Sequence, residues 1–228
     1  MTSGEQYISI LEEKLKKSRE RLEKAVKNLA QKHIGGEIEE YQAAQEENLS
    51  LKRELSLAKN EETPILYDWP VKWDTGAPIP HVISSGHKAF LIYYTGEIDP
   101  EWDSTYVKII DPAKEELLPL AVVEFIHCYA YKFGGANDEV IHGHPLWGKG
   151  LKPYGAHIIR NSEWIKKEEK INSVHRYYRA ERWEKINHCL LLFHDEMFEC
   201  LAEGFKIETV RDTFKHVLEK SLHEIMKW

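Results

Sequence analysis

The residues best suited to chemistry crowd into one stretch, Gly134-Gly135-Ala136-Asn137-Asp138-Glu139-Val140-Ile141-His142-Gly143-His144-Pro145-Leu146-Trp147-Gly148-Lys149-Gly150-Leu151. Its glycines and proline predict a loop or a series of turns, and a loop this long inside a compact domain is usually functional. His142 and His144 form a His-x-His pair. On an extended segment both rings project to one side, as zinc and other divalent-metal sites require. Asp138 and Glu139 stand just before the pair, and His175 and His194-Asp195 come later. Asn137, Asp138, Glu139, His142, His144 and His175 are therefore the candidate ligand-binding residues. His142 and His144 are the candidate metal ligands.

Known metal patterns do not fit around these histidines. A cupin places a Glu shortly after the second His, whereas Pro145-Leu146-Trp147-Gly148-Lys149 follows here. The His-Asp pair of phosphohydrolases lies on a helix, whereas Leu190 to Phe193 reads as strand. The competing structural reading is that these polar side chains fix the loop by hydrogen bonds to its own carbonyls. No G-x-S-x-G elbow, GxGxxG or P-loop pattern occurs. Cys128, Cys189 and Cys200 sit in apolar surroundings, as inert core thiols do. Their odd number predicts no disulfide framework and a reducing compartment.

One run interleaves basic and aromatic residues, Arg176-Tyr177-Tyr178-Arg179-Ala180-Glu181-Arg182-Trp183. Those types suit phosphates and stacked rings. The net charge of −7 weighs against a nucleic-acid partner, and residues 61–228 hold 20 basic against 27 acidic side chains. A solvated helix anchored by its aromatic residues is the ordinary alternative.

The elements that must position these groups fall into three parts: a helical arm at 1–60, a Pro- and Trp-rich ordered connector at 61–80, and an α+β domain at 81–228. In the arm, Ile8, Leu11, Leu15, Ser18, Leu22, Ala25 and Leu29 recur at spacings of three and four, the seam of a coiled coil. Gly35-Gly36 breaks the pattern, and a weaker helical stretch runs to about Lys59. Either the arm folds back as an antiparallel hairpin, bringing Lys24 and Lys27 near Glu46 and Glu47, or it pairs with another chain. The hairpin has the better charge pattern. Strands are expected at 87–95, 106–110 and 121–132, with a fourth and a possible hairpin in 188–201. Their close spacing favours a mainly antiparallel sheet. Asn161-Ser162 caps a short helix carrying Trp164 and Ile165, and Thr209 caps a C-terminal helix.

Segments such as Trp73-Asp74-Thr75-Gly76-Ala77-Pro78, Asn172-Ser173-Val174-His175 and Phe193-His194-Asp195-Glu196-Met197-Phe198-Glu199-Cys200 are similar to those of a group of bacterial proteins. The resemblance covers most of residues 69–202. It implies a bacterial origin and carries no activity.

These readings predict a cytoplasmic binding or assembly module with no secretion signal and no membrane span. The 134–151 loop would hold a ligand or partner without a cofactor, and residues 5–60 would meet a protein partner or a second copy. The alternative is a metal-assisted hydrolase. It would use His142 and His144 on zinc or another divalent metal, with Asp138, Glu139 or Asp195 as further ligand or base. Whether the chain is an enzyme stays open.

Overall fold

The computed structural model describes residues 2–31, 36–86, 88–96 and 109–227. By internal packing the chain divides into two units. One joins Met1–Ile65 to Pro145–Leu151 and Ile159–Glu163; the other joins Leu66–His144 to Lys152–Ile158 and Trp164–Trp228.

In the first unit, α1 (Ser3–Gln31) and α2 (Gly36–Ala58) pack as an antiparallel hairpin. The seam buries Leu11, Leu15, Ser18 and Ala25 against Ala44, Asn48 and Ser56. Its polar members pair, Asn48 donating to Ser18 at 3.4 Å. Ion pairs across the hairpin include Arg21–Glu47 at 2.9 Å and, just past the end of α2, Lys59–Glu12 at 2.7 Å. The attraction expected of Lys24 and Lys27 is thus met at Glu47 by Arg21, one turn earlier. Arg53 on α2 donates to the carbonyls of Gly150 at 2.8 Å and Lys149 at 3.3 Å. Gly150 is left-handed at φ 106°, a conformation that favours glycine, and a Cβ there would displace the Arg53 guanidinium.

Two antiparallel sheets follow, one ordered β1-β6-β7-β8-β5 and the other β2-β3-β4-β9. The first comprises β1 (Thr63–Tyr67), β5 (Ala130–Gly134), β6 (Ala156–Arg160), β7 (Asn187–Leu192) and β8 (Met197–Ala202). The second comprises β2 (His81–Ser85), β3 (Lys88–Tyr94), β4 (Leu118–Ile126) and β9 (Gly204–Asp212). In the second unit, Leu91, Tyr93, Ala121, Val123 and Phe125 from one sheet share a core with Cys189, Leu191, Phe198 and Cys200 from the other. Alternation along the strands sends Phe90, Ile92, Leu120 and Val122 to the opposite face, where Phe214, Val217 and Ile225 of α5 (Phe214–Ile225) cover them.

The expected strand at 121–132 is two strands. The chain leaves one sheet after Ile126 and enters the other at Ala130, turning at His127, whose φ is 48°. Apolar continuity through Cys128 and Tyr129 hid this corner. β8 and β9 make the same crossing beside it. Ile126 faces Gly204 and Ala130 faces Leu201, so three residues, His127 to Tyr129, oppose two, Ala202 and Glu203. That is a β-bulge, which bends and twists a strand pair. Three bonds close it: Glu203 N–H to Ile126 O at 3.0 Å, Tyr129 N–H to Leu201 O at 2.7 Å, and His127 Nδ1 with the Glu203 carboxylate at 2.9 Å.

Other expectations shift as well. The C-terminal helix starts later, capped by Thr213, which accepts from His216 N–H at 3.1 Å; Thr209 and Val210 belong to β9. Most of the strand expected at 106–110 lies outside the described residues, and Ile109 and Ile110 are not in a strand. No helix among the described residues is long and apolar enough to cross a membrane.

On the outer face of the β5–β8–β7 strands, Glu199 is buried between His188 at 3.1 Å and Lys132 at 3.1 Å, with the Trp164 ring of α3 (Glu163–Asn172) over Lys132. Burial by itself would raise the Glu199 pKa. The hydrogen bonds from His188 and Lys132 outweigh it and hold the carboxyl below the ordinary glutamate range. A depressed folded-state pKa contributes stability that is present above the unfolded value and is lost as pH falls through the folded one. Thermal melts of Glu199→Gln should therefore show less loss on acidification below about pH 5 than the parent. At pH 7 the same variant should be less stable by about 1.5–3 kcal/mol.

Candidate functional site

The sequence-predicted residues do not converge on one centre. Asn137 caps its own turn, its side-chain carbonyl accepting from Val140 N–H at 3.3 Å. His142 is exposed and bonds through Nδ1 to the Glu139 carbonyl at 3.0 Å. His144 ends a short 3-10 turn, Ile141–Gly143. Two of the polar side chains thus serve the loop backbone, as the loop-fixing reading expects. Ile141, Leu146 and Leu151 are buried and anchor the loop, whereas Trp147 keeps 37% of its surface exposed. Among the described residues no three His, Cys, Asp or Glu side chains are grouped so as to hold a metal ion.

Asp138 is the exception within this loop. Its carboxylate accepts from the Tyr154 hydroxyl and lies 3.0 Å from His194 Nδ1, while Tyr154 Oη is 3.1 Å from the same nitrogen. Tyr154 sits in the left-handed region at φ 56°, a strained conformation for a bulky residue. The Tyr154 and His194 bonds hold the Asp138 carboxyl below its usual range, and the same carboxylate raises the Tyr154 hydroxyl. Backbone adds a further tie, Asp138 N–H to His194 O at 3.0 Å. His194 and Asp195 lie in the turn between β7 and β8 rather than on a strand. This trio pins the loop to that turn. Tyr154→Phe should lower the melting temperature by about 2–4 °C, the shift expected for one ordinary hydrogen bond in a chain of this size. Amide exchange in 137–144 should quicken with it.

His175 stands elsewhere, on a cleft of about 580 Å³. The strand-crossing corner supplies His127, Tyr129 and Glu203. The end of α3 and the segment after it supply Asn172, His175, Tyr177, Tyr178 and Arg179, and α4 (Ala180–Trp183) with its exit supplies Arg182, Trp183, Lys185 and Ile186. Trp183 is 9% exposed and meets Tyr129 edge to face at 4.9 Å. Tyr129 also receives a hydrogen bond from Asn172, which ties the corner to α3. Tyr177 is 64% exposed, with the Arg176 guanidinium 4.3 Å above its ring.

Among the described residues, three permanent cations, Arg179, Arg182 and Lys185, line this cleft at intervals of three, against one carboxylate, Glu203. His127, through its hydrogen bond and charge, holds Glu203 below its usual range, with Lys185 and Arg182 adding to it. His175 Nδ1 accepts from Tyr177 N–H at 3.2 Å, which places the ring proton on Nε2 as a donor. The cleft therefore suits an anion with a flat or apolar part. The basic-aromatic run at 176–183 was its one sequence signal; the overall negative charge masked it, and His127, Tyr129 and Glu203 are distant in sequence. Compared with known proteins, the chain has no significant match to any family model, curated protein or solved structure.

Proposed function

We propose that this chain is a binding module that takes a small anionic ligand in the cleft between the strand-crossing corner and the α3–α4 segment. One observation carries the reading: Arg179, Arg182 and Lys185 line a single cleft whose floor is the buried Trp183 ring. A volume of about 580 Å³ falls among small-molecule pockets, which run roughly 300–1,000 Å³. Arginine forks match phosphate and carboxylate oxygens in pairs, and the apolar floor keeps the ligand's other end from water. The 134–151 loop is then scaffold, its polar groups engaged locally. Residues 5–60 keep the role of meeting a protein partner or a second copy, for which Tyr7, Ile10, Val26, Ile38 and Leu57 offer exposed apolar surface.

Calorimetric titration with inorganic pyrophosphate tests the reading. One site per chain is expected, weakening as salt rises. Arg179→Ala with Arg182→Ala should lower the affinity at least tenfold, about 1.4 kcal/mol. Unchanged affinity in that variant would move the site elsewhere.

A further inference from the structure

Beyond accepting an anion, the cleft presents solvent-exposed aromatic surface. Tyr177 and Tyr129 are 64% and 37% exposed, yet both are held in place. Arg176 lies over Tyr177, and Asn172 and Trp183 fix Tyr129. Fixed, exposed rings beside arginines are the parts from which proteins build platforms for a base and its phosphate. Their rigidity lowers the entropy lost on binding.

We infer that the ligand of this cleft is a nucleoside phosphate. Its base stacks on the Tyr177 or Tyr129 ring, and its phosphate meets Arg179, Arg182 and Lys185. This rests on the anion-binding reading and adds the ring to it. His175 lines the same cleft and keeps Nε2–H free of the Nδ1 bond, a donor suited to a base edge or sugar hydroxyl, groups that an inorganic anion lacks. The one carboxylate, Glu203, is engaged by His127 and sits at the corner, so the phosphate is assigned to the α4 side of the cleft. A free nucleotide fits better than a nucleic-acid strand, because a strand would need a basic track beyond the cleft and residues 61–228 are acidic overall.

The test compares adenosine 5′-monophosphate, ribose 5-phosphate, adenosine and inorganic pyrophosphate by calorimetry on the whole chain. The monophosphate should bind at least tenfold more tightly than ribose 5-phosphate or adenosine, stacking on an aromatic side chain being worth about ten- to a hundredfold. Tyr177→Ala and Tyr129→Ala are made separately. At least one should remove that advantage while keeping the parent's circular dichroism spectrum and thermal transition, which shows that the variant is folded. Equal binding of the monophosphate and ribose 5-phosphate would overturn the stacking inference and leave the anion site standing. Adenosine binding as tightly as its monophosphate would overturn the phosphate assignment. Binding of none of the four would overturn both readings together.

Discussion

The corner at which two neighbouring strands leave one sheet for the other governs the α+β body. β4 runs into β5, and β8 into β9, so each sheet takes two of its strands from the other by direct continuation. The sheets cannot slide apart without breaking this ribbon. Their inner faces are pressed together over Val123, Phe125, Phe198 and Cys200. Bending a paired ribbon sharply needs an extra residue on the outside of the bend, and the bulge at His127–Tyr129 supplies it. The cost is one non-glycine residue in the left-handed region, offset by the bond between His127 and Glu203 on the two crossing strands.

The same bend makes the cleft. A straight strand would have carried Tyr129 along the sheet; the bulge turns it outward, where Trp183 and Asn172 hold it. The chain between β6 and β7 then forms α3 and α4 and returns to the corner with Arg179, Arg182 and Lys185. Electrostatics at the site follow from local crowding rather than net charge. A chain of formal charge −7 still gathers three permanent cations around one cleft, because the carboxylates of α3 and α4 do not line it.

Features set by local periodicity were legible in the sequence. The α1 seam through Leu11, Leu15, Ser18 and Ala25 is the buried one, and Asn161-Ser162 does precede α3. What periodicity could not show was where an apolar run changes sheets. Ala121 to Lys132 reads as one strand because its apolar residues continue through Cys128 and Tyr129; the left-handed turn at His127 and the bulge to Tyr129 separate β4 from β5. Strands β1, β2 and β6 are short and flanked by prolines or glycines, so turn signals obscured them. The candidate loop was conspicuous for its residue types, yet Asn137 and His142 bond within it. Residues of the cleft come from three separate stretches, 127–129, 172–186 and 203, and only the 176–183 run could be read locally.

The most direct measurement of the central claim is the map of backbone amide shifts in a ¹⁵N-labelled sample titrated with inorganic pyrophosphate. The largest changes should fall on His127, Tyr129, Arg179, Arg182, Lys185 and Glu203 together, because the corner and the α4 side bound one cleft. Changes concentrated instead in 134–151, or spread over exposed lysines without a centre, would contradict it.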